Sequence, residues 1–285
     1  MISPEEAVPG IERLTCESPP PPGWQRPFFY LVGVKDMVMI DTGYPDKTTI
    51  DKIRFYLARY SGRIEKLFIT HGHLDHAGEL EEIKMNFPPC ILAHENEKEL
   101  MAKRGMDKQV DGWIKGEPEI EGEPGPIKVI STPGHSPGSI CLYFERDKVL
   151  FTGDLVVGDG TSFVGPPDGN MEQYMASLEK IKHLETRVML PGHGPVVKNP
   201  SKHLAFLIEH RLLREVQILK ILQQGPSTAH ELARKIYVGL IHPGLYIAAE
   251  ITVIGHLQKL LKEGKVASDQ ANGERKYRLL AELPF

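Results

Sequence analysis

Four side chains able to bind divalent metals crowd into the six residues His71-Gly72-His73-Leu74-Asp75-His76, and this stretch constrains the fold more than any other part of the chain. The run before it, Ile64-Glu65-Lys66-Leu67-Phe68-Ile69, reads as a buried strand. A strand end feeding a short loop aims alternate side chains at one point in space. His71 and His73 can then share one ion while Asp75 and His76 turn toward a second, since imidazole and carboxylate are ligands that zinc accepts at roughly 2.0 to 2.2 Å. The bland alternative is a surface loop with solvated histidines, and it loses ground because later segments supply the missing ligands.

Those ligands arrive in order along the chain. Strands over 28–32 and 37–40 form a hairpin whose second strand ends at Asp41-Thr42-Gly43; an acid there either orients a metal-bound histidine or caps the next helix. A helix over 47–60 precedes the strand described above, and a helix over 77–87, a strand over 90–93 and a helix over 95–104 follow it. His94 fits no ligand pattern and reads as a surface or cap residue. Residues 105–126 are rich in Gly, Pro and Glu, which suits a mobile excursion, as a plain surface loop or a lid. The strand over 127–130 runs into Pro133-Gly134-His135-Ser136-Pro137-Gly138, a rigid turn that fixes one imidazole. Strands over 140–144 and 148–151 lead to Asp154. A helix over 171–184 and a strand over 188–190 lead to Pro191-Gly192-His193-Gly194.

The inventory divides into His71, His73 and His135 for one ion and Asp75, His76 and His193 for the other, with Asp154 offering one oxygen to each. Two cations about 3.5 to 4 Å apart need such an anionic bridge, and a water between them is acidified toward pKa 7. A bridging hydroxide of that kind attacks an electrophilic carbonyl or phosphoryl centre, with Asp75 and Asp154 as the catalytic carboxylates. Neither a Ser-His-Asp nucleophile nor a phosphate-cradling glycine loop is found.

Asp41, His71-Gly72-His73-Leu74-Asp75-His76, His135, Asp154 and His193 together resemble the metallo-β-lactamase superfamily. The resemblance implies an α/β fold, a four-layer αβ/βα sandwich with the site at one edge; patterning alone says only α/β. It implies two Zn2+ per chain, with iron or manganese as alternative occupants, and Asp41 behind the ligands. Iron-dependent relatives carry an acid at the position of His73, so hydrolysis is expected rather than oxygen or nitric oxide reduction. True β-lactamases of the superfamily lack an acid equivalent to Asp154.

Residues 1–200 thus read as the catalytic domain and 201–285 as a small C-terminal domain. Helices over 202–224, from 227 onward and over 246–263, with a hairpin turning at Asn272-Gly273, read as a winged helix. This order, with Gly165-Pro166-Pro167-Asp168-Gly169-Asn170-Met171, resembles the lactamase-β-like-2 branch of the superfamily, which includes a single-strand endoribonuclease. The tail holds 12 Lys and Arg against 8 Asp and Glu, while residues 1–200 hold 22 against 30. That asymmetry hints at polyanion contact. The third tail helix, however, carries no cation in its first turns, which argues against duplex readout and for packing on the body or on a second subunit in a homodimer.

The leading expectation is a dinuclear zinc hydrolase of a small ester, thioester or lactone. The alternatives are a phosphodiesterase or single-stranded RNA endonuclease at the same site, and a nucleic-acid-binding regulator with a vestigial metal fold. No apolar run approaches the roughly 18 residues of a membrane span and Met1-Ile2-Ser3-Pro4-Glu5-Glu6 is too acidic for a signal peptide, so a cytoplasmic protein without membrane contact is expected. Cys16, Cys90 and Cys141 form no C-x-x-C pair, and Cys90 and Cys141 read as small buried residues in strands. His183, His203, His210, His230, His242 and His256 read as surface or interface residues, and Trp24 as part of a pocket rim or a packed segment.

Overall fold

The computed structural model describes residues 5–17, 19–60, 63–123, 125–271 and 273–280; of the expected hairpin turn, Asn272 lies outside them. Seven strands form the first sheet in chain order: β1 (Glu5–Val8), β2 (Ile11–Thr15), β3 (Phe28–Val32), β4 (Asp36–Ile40), β5 (Arg63–Ile69), β6 (Cys90–His94) and β7 (Gly112–Ile114). The second sheet contains β8 (Glu119–Ile120), β9 (Ile127–Ser131), β10 (Ile140–Phe144), β11 (Val149–Gly153) and β12 (Val188–Pro191), with β12 at one edge and β8 at the other. Helices α1 (Lys47–Tyr60), α2 (Leu74–Ala77), α3 (Leu80–Asn86) and α4 (Lys98–Lys103) belong to the first half, and α5 (Met171–Lys182) and α6 (Pro200–Leu222) follow the second.

Alternation along the strands builds the layers. Met37 and Met39 of β4 face Ile53 and Leu57 of α1 and Leu80 and Ile83 of α3, whereas Val38 and Ile40 between them face Val129, Leu142 and Phe151 of the other sheet. On its far side the second sheet packs Cys141, Leu150 and Met189 against Tyr174, Leu178 and Leu207 of α5 and α6. Two sheets face to face with helices outside are the expected αβ/βα sandwich. Leu142 lies wholly inside the inter-sheet core, so Leu142→Ala should cost about 2–5 kcal/mol in urea unfolding, and a loss below 1 kcal/mol would contradict this packing.

Several local expectations are corrected. Residues 105–126 are not an excursion: β7 pairs parallel to β6 and β8 pairs antiparallel to β9, so the segment closes an edge of each sheet. Its glutamates hold it down, Glu117 accepting from Ser131 N at 2.7 Å and Glu123 from the amides of Val34 and Lys35. The helix expected over 77–87 is α3 and starts later, at Leu80, and a separate one-turn helix, α2, precedes it within the ligand loop, closed by the His76 and Ala77 amides on the His73 carbonyl. Strands β1 and β2 were not legible in the polar N-terminal sequence. Cys90 is exposed, at the start of β6, while Cys141 is buried. His94 is buried rather than on the surface, and its Nδ1 accepts from Asn96 N as a cap.

The tail contains α7 (Ala229–Tyr237), α8 (Tyr246–Lys262) and the antiparallel pair β14 (Val266–Ala271) and β15 (Glu274–Leu279), with the two-residue β13 (Ser227–Thr228) beside β15: a winged helix. Helix α6 is shared, its Leu204 and Leu207 lying in the third core and its Ile218 and Leu222 in the tail's own. Between them a buried polar cluster joins the parts: Glu215 of α6 accepts from Lys259 at 2.9 Å and sits 3.4 Å from His256 Nδ1, both on α8. Burial pushes the His256 imidazolium down to about 4, against an ordinary 6.5, so the folded chain binds fewer protons here than the unfolded chain between those values. Stability is therefore complete above pH 6.5 and falls as pH drops toward 4, by at most about 1.4 kcal/mol per pH unit from this residue. Urea midpoints across that window should fall less steeply in His256→Gln; an unchanged slope would remove His256 from the acid response.

Candidate metal centre

Strands β4 and β5 run parallel, as do β11 and β12, and β9 shares the direction of β11 because both are antiparallel to β10. Their C-terminal ends therefore meet at one edge of the sandwich. Asp41 follows β4, the His71 to His76 loop follows β5, His135 follows β9, Asp154 follows β11 and His193 follows β12. All the expected ligand residues converge there, as three overlapping groups with donor atoms within 4.8 Å of one another: His71, His73 and His135; His71, His76 and Asp154; Asp75, His76 and His193.

Each imidazole has one nitrogen turned inward and one held from outside. His73 Nδ1 lies 2.9 Å from His135 Nε2, and His76 Nε2 lies 3.3 Å from His193 Nε2. The outer nitrogens meet acceptors: His76 Nδ1 is 2.8 Å from Asp41 Oδ2, His135 Nδ1 is 2.7 Å from the Phe163 carbonyl, and His193 Nδ1 is 3.1 Å from the Arg26 carbonyl. His71 Nδ1 meets Thr70 Oγ1 at 3.0 Å, and His73 Nε2 meets Asp168 Oδ2 at 3.4 Å. An outer acceptor takes the ring N–H and leaves the inner lone pair free to ligate. Asp154 stands between the groups, Oδ1 being 3.3 Å from His76 Nε2 and Oδ2 being 3.4 Å from His193 Nε2 and 3.7 Å from His135 Nε2. Gly192 leaves room for this, since a Cβ there would lie 2.6 Å from Asp154 Oδ1 and 2.5 Å from His76 Cε1.

Asp41 orients rather than caps. It adopts φ 60°, a left-handed conformation that Asp tolerates better than most residues, and turns its carboxylate back to accept from Thr70 N at 2.7 Å and to meet Thr70 Oγ1 at 2.8 Å.

The donor set fits cations. Among the described residues His71 Nε2 has no hydrogen-bond partner, and Asp154 Oδ1, 3.3 Å from His76 Nε2, has none in hydrogen-bonding geometry; such buried atoms are costly unless a cation satisfies them. Burial and the neighbouring imidazoles hold His71 well below its ordinary pKa, and burial with His73 pushes His135 down to about 4. Burial also opposes charge on His76, but Asp154, Asp75 and Asp41 outweigh it and hold that imidazole well above the ordinary value. Burial likewise opposes the Asp75 carboxylate, yet His76 and His193 bring it down to about 2. Clefts lined by Glu119, Phe144, Glu145 and Asp147 lie at the opposite edge of the second sheet, and none of the ligand groups lies there.

Two supporting residues escaped the sequence reading. Asp168 is one. The other is Glu97, fully buried, whose Oε2 accepts from Gly72 N at 2.7 Å while Oε1 accepts from Ser136 Oγ at 2.5 Å and Gly138 N at 2.6 Å. One carboxylate thus ties the His71 to His76 loop to the His135 turn. Glu97→Ala orphans two buried amides, of Gly72 and Gly138, while Ser136 Oγ keeps Ser139 Oγ at 2.7 Å, and should lower unfolding free energy by at least about 2 kcal/mol, whereas the neighbouring Glu99→Ala, on an exposed residue, should stay within about 0.5 kcal/mol. Equal effects in urea titrations would show that the clip carries no weight.

Residues 22–193 match the metallo-beta-lactamase superfamily, and residues 228–275 match the beta-lactamase associated winged helix domain. The chain belongs to the metallo-β-lactamase superfamily, a hydrolase superfamily, and carries the associated winged helix. It is 30% identical over 267 residues to the beta-lactamase-like protein 2 homolog of Caenorhabditis elegans, covering 92% of this chain and 88% of that protein. It is also 30% identical over 222 residues to the atrochrysone carboxyl ACP thioesterase of Aspergillus fumigatus, covering 73% of this chain and 67% of that one. A beta-lactamase domain protein from Burkholderia ambifaria superposes with a TM-score of 0.85 at 18% identity, covering 97% of this chain and 93% of that one; this likeness is one of fold.

Proposed function

We propose that this chain is a two-cation hydrolase, with zinc as the expected metal, acting on a small thioester, ester or lactone. The observation that carries the reading is the convergence of the inner nitrogens of His71, His73, His76, His135 and His193 on Asp154, each outer nitrogen being held by an acceptor. His71, His73 and His135 would hold one ion, Asp75, His76 and His193 the other, and Asp154 would offer an oxygen to each. Bound there, the cations supply Lewis acidity and acidify water. Asp75 and Asp154, both held below the ordinary carboxylate range, stay ionised at neutral pH and offset the charge that the site gathers. Asp75 keeps part of its carboxylate open to solvent, 3.2 Å from His193 Nε2.

The thioester reading rests on the wall beside His135. The half-exposed Trp24 packs edge-on to Phe163 with ring centroids 6.2 Å apart, and the Phe163 carbonyl is the acceptor for His135 Nδ1. An apolar acyl group suits that aromatic face. The thioesterase among the relatives lends the same class support. Phosphodiester cleavage has less behind it: Lys259 and Lys265 pair with Glu263, and Lys262 with Glu172, which leaves the tail's third helix little free positive charge. Among the described residues no helix is long and apolar enough to cross a membrane. The same reading divides the chain into a catalytic part, residues 1–200, and a winged-helix part, residues 201–285, with α6 as their common strut.

Metal analysis of the purified protein should find two ions per chain, and one or none would overturn the paired site. Acyl thioesters, lactones, bis-p-nitrophenyl phosphate and single-stranded RNA assayed side by side should give turnover on the thioester, lost in Asp75→Ala and His135→Ala with the circular dichroism spectrum kept. Turnover confined to RNA would replace this function with the nuclease.

A further inference from the structure

Two of the outer acceptors belong to one loop. The Phe163 carbonyl faces His135 Nδ1, and the Asp168 carboxylate faces His73 Nε2 while lying 3.7 Å from Arg104, which itself donates to the Gly72 carbonyl at 2.5 Å. His135 and His73 belong to the same three-histidine group, and no acceptor of the Asp75, His76 and His193 group comes from this loop.

The same loop is gripped from behind by the C-terminal half of the chain. Buried Arg211 of α6 donates to the Ser162 carbonyl and lies over the Tyr174 ring at 5.1 Å. Helix α8 lies against residues 164 and 165 backbone to backbone: a Cβ on Gly255 would meet the Val164 carbonyl oxygen at 2.9 Å, and one on Gly165 would meet the Ile251 carbonyl oxygen at 2.4 Å. Contact this close exists only because both positions are glycine, and any added atom must displace the loop.

We propose that the C-terminal domain sets the cation affinity of the His71, His73 and His135 site, acting through residues 162–168, with Asp168 as the positioning residue for His73. This rests on the two-cation reading. The winged helix then serves the hydrolase as part of its outer shell. Anything that shifts α8 changes one ion site and spares the other. Outer partners of ligating histidines are worth roughly 10- to 100-fold in affinity, so the coupling is large enough to read.

The test uses the full chain stripped of metal and titrated with Zn2+ against a chromophoric chelator, resolving two stepwise constants. Loss of one step in His135→Ala identifies the step that belongs to the three-histidine site. Asp168→Asn and Gly255→Ala should each weaken that step roughly 10-fold or more and leave the other within about twofold. Arg211→Met reaches the loop from α6 and stands in should Gly255→Ala fail to fold. Lys262→Ala removes a tail-to-body ion pair, 2.6 Å to Glu172, that does not touch the loop, and should leave both constants unchanged. Equal weakening of both steps, or wild-type constants in Gly255→Ala and Arg211→Met, overturns the coupling. A single step in the wild-type chain instead breaks the two-cation reading on which it stands.

Discussion

A buried imidazole ligates a cation only if its other nitrogen is held, because a ring free to turn spreads its lone pair over many directions and pays rotamer entropy to choose one. In this chain all five rings at the site are held, and by acceptors from scattered places: Asp41, Thr70, Asp168 and the carbonyls of Arg26 and Phe163. The segments that supply them have little else in common. Arg26 lies just before β3, Thr70 at the end of β5 and Phe163 in the loop after β11. What places them around one point is the sandwich, whose parallel strands deliver their C-terminal ends to one edge.

The rigidity of that edge has a specific origin. Backbone groups that emerge from a sheet lose their ladder partners and must find others if buried. Glu97 and Asp41 supply those partners, one accepting from Gly72, Ser136 and Gly138, the other from Thr70. Both acids lie beside the candidate ligands and neither belongs to the three groups that converge at this edge. Their burial is sustained by multiple donors, which is the condition under which a buried carboxylate is retained.

This separates what could be read in the sequence from what could not. Candidate metal ligands carry a type and a spacing: His71, His73, Asp75 and His76 in one loop, then His135, Asp154 and His193 each beside a glycine, form a pattern that few other chemistries need. The strands that bear them were equally legible from apolar runs of four to six residues. Outer acceptors carry no such mark. Two of the five are backbone carbonyls, which any residue offers, and Asp168 lies 95 residues from His73 in sequence. Glu97 sits in a helical stretch where glutamate is ordinary, and its burial follows only from the approach of the His135 turn. The edge strands β7 and β8 are hidden for another reason: the glutamates around β8 read as solvated, yet Glu117 and Glu123 on either side of it spend their charge on backbone amides. Asp41 was the intermediate case, since a strand-end acid suits two roles until Thr70 and His76 are seen beside it.

The tail poses the harder question, because a winged helix invites comparison with nucleic-acid readers while its chemistry does not follow. A reading helix presents cations and donors at its first turn. Here the first turn of α8 presents exposed Ile247, and farther along the helix the half-buried Ile251 and the buried Gly255 lie against residues 164 and 165 of the body. A helix cannot lay one stretch of its length against a glycine backbone and offer the same surface to a groove. The cations at its C-terminal end are drawn into pairs with Glu215, Glu263 and Glu172, two within the tail and one across to α5. The three-helix and hairpin frame is that of a winged helix, and the middle of its third helix, at Ile251 and Gly255, is spent on close packing against the body.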